Sequence, residues 1–142
     1  MTVLNPITST ARKYVGTRFQ HQGRVERGLD CIGLPVVVAR DLGYTVEDNV
    51  TYSMRPQGEV LLAYIGKACN RVALPDMQEG DLLAFWMADS PRDLPIHVAI
   101  YTGEGIIHTN RDMGAVVEHS LDEGDWRRRI HSAWRFKWQL LP

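Results

Sequence analysis

The sequence predicts an α+β domain, and three observations carry that prediction. The first half holds apolar stretches bounded by helix-starting and helix-stopping residues. The second half holds short apolar or alternating runs separated by Gly, Asp, Asn and Pro at hairpin spacing. Helices first and a meander of strands afterwards fit helices packed on an antiparallel sheet. Third, 142 residues with 44% hydrophobic and 23% charged side chains suit one domain able to bury its own core. That balance excludes disordered, collagen-like and coiled-coil chains, and no internal repeat or linker divides residues 1–142.

Each element follows from local chemistry. Asn5 before Pro6 is a helix start, an N-cap followed by proline at the first helical position. Ile7, Ala11, Tyr14 and Val15 then share one face, and Gly16 ends the helix with Arg12 and Lys13 near its C-terminus. Residues 17–30 carry two glycines before Leu29 and many polar groups, and are expected to be a loop. Cys31 to Leu42 is expected to be a buried central helix. Val36-Val37-Val38 alone would suit a strand. However, Asp30 is a natural N-cap, Gly43 a natural C′ residue, and Arg40 lies in the last turn. Pro35 is tolerated if the helix starts at Cys31 or Ile32, because its missing N–H then falls in the first turn. Gly58 to Ala68 suits another helix. Strands are expected at Asp81–Trp86, Ile96–Tyr101, Gly105–Thr109, Ala115–His119 and Ser132–Leu140.

Charge and composition narrow the function classes. Lys+Arg 16 against Asp+Glu 17 gives a net charge of −1. No global field draws the chain to nucleic acid or to an anionic membrane, and neither is an expected partner. No apolar run approaches the length of a membrane-spanning helix. The first residues lack a cationic stretch followed by an apolar one, so cytoplasmic synthesis without a secretory signal is expected. Two cysteines, Cys31 and Cys69, are too few for a disulfide framework.

The residues that can carry chemistry are Cys31, His97 and His108. At the start of a helix, Cys31 meets unpaired N–H groups and the positive end of the dipole, which lower a thiol pKa and can hold an oxyanion. The bland alternative is a buried structural cysteine. In the strand Ile96–Tyr101, His97, Ala99 and Tyr101 share one face while Ile96, Val98 and Ile100 face the core. A two-residue Gly103-Glu104 turn would set Tyr101 opposite Ile106 and Ala99 opposite His108. His97 then becomes a diagonal neighbour of His108, within reach of its imidazole. A three-residue turn would put the two rings on opposite faces. A thiol, a histidine base and a polar group orienting the base form a triad. His97 would take the thiol proton and His108 would fix its tautomer. His21, His119 and His131 have no comparable partner and are read as half-buried residues with satisfied hydrogen bonds.

Four strings carry a family resemblance: GTRFQHQGRVERGLDCIGLPVVVARDLG (16–43), EGDLLAF (79–85), HVAIY (97–101) and IIHTN (106–110). In this order and spacing the chain resembles the NlpC-type cysteine peptidases, and within them the phage-type branch, over about residues 6–138. The resemblance implies a papain-like α+β fold in one domain. It implies hydrolysis of peptide bonds in peptidoglycan stem peptides, typically between D-γ-glutamate and diaminopimelate, through a thioester and without a cofactor or metal. Carried over, Cys31 matches the nucleophile, His97 the base and His108 the third member. Delivery by a phage tail or tail-like particle, with tail-tip proteins as partners and the periplasm or cell wall as the place of action, is the matching expectation.

The chain departs from the family pattern at two positions near the nucleophile. Phe19 stands where many members have a tyrosine, so an oxyanion donor would come from backbone or from a neighbour such as Gln20. Ile32 replaces the usual serine after the nucleophile. Substrate contacts are expected from Phe19, Gln20, Arg24 and Asp30. For Asp30 an N-cap is the competing role, and for Arg24 and Arg27 a solvated loop position. Arg127-Arg128-Arg129 is read as a solvated face, Trp126, Trp134, Phe136 and Trp138 as sheet packing, and Cys69 as core. Two rivals remain: a tail-tip structural component that keeps the fold without efficient catalysis, and an amidase or acyltransferase using the same triad. A zinc site built from Cys31, His97 and His108 lacks the local ligand pairs that structural zinc favours.

Overall fold

A polar cap and a proline set the first helix. In the computed structural model, which describes residues 5–44, 58–88 and 90–137, Asn5 accepts hydrogen bonds from the N–H groups of Ile7 (2.9 Å) and Thr8 (3.2 Å). Helix α1 runs Pro6–Arg12, shorter than the pattern to Gly16 suggests. Tyr14 and Val15 close it with tighter bonds to Ala11 and Arg12, and Gly16 leaves to donate to the Val116 carbonyl. Residues 17–30 are more than a loop. They hold a two-stranded ribbon, β1 Arg24–Val25 and β2 Gly28–Leu29.

The central helix α2 spans Gly33–Asp41. Its hydrogen bonding begins at Asp30, whose carbonyl accepts from Leu34 N–H and whose carboxylate accepts from Gly33 N–H (2.7 Å). Pro35 lies in the first turn, as its missing donor requires. Gly43 closes the helix at φ +87°, donating to Arg40, while Tyr44 donates to Ala39. Helix α3 is Gly58–Ala68, with Leu61 and Ile65 buried.

One six-stranded antiparallel sheet forms the other layer. Its strands are β3 Cys69–Val72, β4 Leu82–Phe85, β5 His97–Tyr101, β6 Gly105–Asn110, β7 Ala115–Ser120 and β8 Ile130–Phe136. Their order is β3-β8-β4-β5-β6-β7, so the last strand inserts beside β4 and pairs with β3 on its other side. Strand β3 was not expected from sequence. Trp138 and the end of the stretch expected to reach Leu140 lie outside the described residues. A short 3₁₀ turn, Leu74–Asp76, links β3 towards β4, and a second, Arg127–Arg129, leads into β8.

The apolar core lies on both faces of the sheet. The helix side gathers Ile7, Leu34, Val38, Leu61, Val98 and Ile100 among others. A smaller cluster of Leu83, Phe85, Ala99, Ile106, Leu121 and Ala133 fills the opposite side. Residues 16–19 run along the outer edge of β7, with Val116 N–H donating to Thr17 and Phe19 N–H to Gly114. This covers a sheet edge that would otherwise expose unpaired backbone. The same segment is tied to β2 by Leu29 N–H to Arg18 and Gln20 N–H to Leu29, which brings Phe19 beside the start of α2.

A buried ion pair fastens β8 to the turn before β4. Asp81, fully buried, accepts from Arg135 Nε (2.9 Å) and Nη2 (3.0 Å) and from Gln78 N–H (2.8 Å). Arg135→Met is expected to cost about 3 kcal/mol, because a buried carboxylate loses its only guanidinium partner among these bonds. Asp81→Asn combined with Arg135→Met should recover part of that loss. Urea unfolding midpoints of the three proteins check both statements.

Candidate active site

The hairpin joining β5 to β6 decides whether the two histidines meet. Thr102 N–H donates to the Gly105 carbonyl across Gly103-Glu104, with Gly103 at φ +97°. Tyr101 pairs with Ile106 and Ile100 with Ile107. This is the register of a two-residue turn; the pairing ends at Ile100–Ile107, and the parity it fixes puts His97 and His108 on one face. His97 Nε2 lies 2.8 Å from His108 Nδ1. His108 is fully buried in the middle of β6, and His97 stands at the start of β5 where the sheet opens.

An open cleft of about 320 Å³ holds Cys31 and His97 on its walls. Phe19, Asp30, Thr109 and Trp126 line it as well. Cys31 sits in the turn just before α2, half-buried, as a free thiol. The N–H groups of Val98 and of Cys31 itself face the sulfur and favour its anion. Even so, burial, followed by the Asp30 carboxylate, pushes the thiol up to about 12. The lowered thiol pKa expected from a helix start is therefore corrected: desolvation and a neighbouring negative charge outweigh the helix end. Burial, with His119 nearby, takes His97 down to about 4, and burial, with His97 and His119, takes His108 down to about 2. The resting site accordingly holds a neutral thiol and neutral imidazoles.

The remaining expected contacts divide. Phe19 is in the cleft. Gln20 is not: its side chain lies against Gly28 of the ribbon, away from the lining residues. The Gln20 side chain therefore supplies no donor to the cleft. Asp30 is both cap and cleft wall, since its other carboxylate oxygen accepts from Gln22 N–H (2.8 Å). Arg24 is neither solvated nor in this cleft. Its side chain is 12% exposed, and it donates to Asp30 (3.1 Å) and to the Gly23 carbonyl (3.0 Å). It holds the Asp30 carboxylate in place beside Cys31. Arg27 is exposed.

A close backbone approach fixes the start of α2. A Cβ on Gly33 would lie 2.1 Å from the Gly23 carbonyl oxygen. Gly33→Ala is expected to cost about 2 kcal/mol and to displace Cys31. Thermal unfolding and the rate of Cys31 alkylation by iodoacetamide report the two effects.

Several site residues escaped the sequence reading. His119, taken for an isolated half-buried residue, lies with its Nε2 2.8 Å from His108 Nε2, and its Nδ1 2.9 Å from the Ser120 carbonyl. Trp126, taken for sheet packing, packs against the histidine row in tilted and edge-on contacts, with ring centroids 5.5, 4.7 and 5.7 Å from His97, His108 and His119. Trp134 and Phe136 do pack in the core, as does Cys69, whose thiol burial pushes up to about 12. The arginine run also divides. Arg127 and Arg128 pair with Asp122 (2.7 Å) and Asp125 (3.0 Å) in the open, whereas Arg129 turns into the cleft wall, 5.8 Å from the Trp86 ring. His131 meets the Ser132 hydroxyl at 2.8 Å, as a satisfied histidine should.

A thiol just before a helix packed on an antiparallel sheet and an imidazole at the start of one of its strands thus face one cleft. The NlpC/P60 family profile matches residues 16–135, and the chain belongs to that family. It is 28% identical over 137 residues to the probable endopeptidase NlpC of Escherichia coli K12, covering 95% of this chain and 79% of that protein. It is 25% identical over 121 residues to the murein DD-endopeptidase MepS/murein LD-carboxypeptidase of the same organism, covering 84% and 56%. Among solved structures, an NlpC/P60 family protein from Bacillus cereus superposes with a TM-score of 0.71 at 21% identity, covering 96% of this chain and 41% of the other. That likeness shows the fold. The chain thus spans most of one curated relative and about half of the other. Among the described residues no helix is long and apolar enough to cross a membrane.

Proposed function

We propose that this chain is a cysteine endopeptidase of peptidoglycan that cleaves stem peptides, with Cys31 as nucleophile, His97 as general base and His108 as the group that orients it. The observation that carries the reading is the shared cleft of Cys31 and His97, with His97 Nε2 already engaged by buried His108 and Nδ1 left outside that bond. That one Escherichia coli relative is a murein endopeptidase and another a probable endopeptidase supports the substrate class.

The chemistry follows from the neutral resting pair. As the Cys31 sulfur attacks the scissile carbonyl carbon, its proton passes to His97 Nδ1. The carbonyl oxygen becomes an oxyanion, for which the Cys31 N–H at the sulfur is a backbone donor. The C–N bond then breaks, the imidazolium returns its proton to the leaving amine, and a thioester remains on Cys31. Water, giving a proton to His97, hydrolyses the thioester and restores the thiol. Phe19 offers an apolar wall, with Asp30, Arg111, Asp112 and Arg129 as charged groups on the walls facing a stem peptide.

The bond we assign is that between D-γ-glutamate and diaminopimelate, and the setting a phage or tail-like particle. The bond rests on the resemblance of the four strings together to the NlpC-type peptidases, and the setting on their phage-type branch. Digestion of purified peptidoglycan with mass spectrometry of the products tests the reading. New stem-peptide fragments ending in D-glutamate are expected. Intact wall material after incubation with a folded protein would contradict it.

A further inference from the structure

The histidine row continues one member beyond the triad, and its last bond has only one possible direction. A backbone carbonyl cannot donate, so at Ser120 the His119 Nδ1 must carry the hydrogen. With the hydrogen on Nδ1, where the Glu123 carboxylate also stands 3.8 Å away, Nε2 is the lone-pair nitrogen of that tautomer, and His108 Nε2–H donates to it. His108 Nδ1 is left to accept, and His97 Nε2–H donates to that. Each ring passes its tautomer to the next, and the lone pair that emerges at the far end is on His97 Nδ1. The reverse order would place a hydrogen on the nitrogen that must take the proton of Cys31. Trp126 contacts all three rings, and the middle one, His108, is fully buried.

We infer that His119 is a positioning residue: anchored to the Ser120 carbonyl, it sets the tautomers of His108 and His97 and so delivers the basic nitrogen of His97 to Cys31. This deepens the catalytic reading above and rests on His97 acting as base. A base held in the wrong tautomer costs about four orders of magnitude in a serine peptidase triad. Without its anchor the row here becomes a mixture of both orders, and the expected loss is about tenfold to a hundredfold.

Nitrogen-15 NMR of the imidazoles tests this independently of any substrate. Wild type should show His97 and His108 protonated at Nε2 and His119 at Nδ1. His119→Phe, which has neither acceptor nor donor, should give mixed tautomers at His97 and His108. It should also slow alkylation of Cys31 by iodoacetamide about tenfold or more, followed by mass spectrometry of the Cys31 peptide. In that reaction the sulfur displaces iodide and the thiol proton goes to His97 Nδ1. His119→Gln can accept from His108 and donate to Ser120, and it should restore both readouts to near wild type. Wild-type tautomers and rate in His119→Phe would overturn the inference. So would a His119→Gln protein that folds yet behaves like the phenylalanine variant, and this comparison decides the matter even if His119→Phe does not fold. Loss of activity on peptidoglycan with the tautomers as described would instead refute the functional reading and leave the positioning role standing.

Discussion

Cys31→Ala is expected to lower turnover of stem peptides by about six orders of magnitude, to the background rate, while leaving the fold intact. The sulfur is the atom that bonds to substrate, and neither Asp30 nor Thr109 on the same walls can replace it, since a capped carboxylate and a hydroxyl without a base are poor nucleophiles here. The fold should survive because the side chain faces the cleft, and alanine keeps the Cβ that the turn before α2 presents. Cys31→Ser should be nearly as inactive, because a hydroxyl is much harder to deprotonate than a thiol. Rates on a synthetic stem peptide, with circular dichroism to confirm folding, check both variants. A Cys31→Ala protein with even a hundredth of wild-type turnover would remove the thiol from the mechanism.

Mild acid is expected to destabilise the protein steeply. In the folded state His97 titrates near 4 and His108 near 2, both below the unfolded value of 6.5. Between pH 6.5 and 4 the unfolded chain therefore binds protons that the folded chain refuses. Stability rises with pH across this window and is fully present above 6.5. Each histidine contributes a slope of up to about 1.4 kcal/mol per pH unit. The two together should remove roughly 4 kcal/mol at pH 5. At the alkaline end the sign reverses. The thiols of Cys31 and Cys69 titrate near 12 when folded, from an ordinary value of 9.0, so stability falls as pH rises above 9. Urea unfolding at pH 5, 7 and 10 measures this. His108→Gln, which removes one of the two buried imidazoles, should flatten the acid slope. Equal stability at pH 5 and 7 would mean that the row is not held neutral.

Much of this was legible in the chain because local chemistry dictated it. Asn5-Pro6 and the Asp30…Gly43 pair bounded helices, and the hydrogen bonds at both ends are of the kind those residues make. The Gly103-Glu104 turn fixed the parity of two strands, and from parity alone His97 and His108 had to share a face. What escaped needed long-range knowledge. Strand β3 exposes Asn70 and Arg71 and owes its existence to pairing with β8, which is 60 or so residues away in sequence. The ribbon at Arg24–Leu29 has only two residues per strand, too few for any periodicity. His119 met His108 only through the β6–β7 register, and the longer turn at Arg111–Gly114 carried no parity rule to announce it. The thiol of Cys31 shows the same limit in energetic form. The helix end gave one contribution with its sign, but depth of burial and the aim of Asp30 belong to the tertiary structure.

The central claim is that Cys31 attacks a peptide carbonyl and carries the acyl group. Mass spectrometry of the enzyme quenched during turnover of a stem peptide tests it most directly. An acyl adduct is expected, mapped by digestion to the Cys31 peptide, absent in Cys31→Ala and accumulating when an alternative leaving group makes hydrolysis of the thioester the slow step. Product formation with no adduct on Cys31, or with an adduct on another residue, would contradict it.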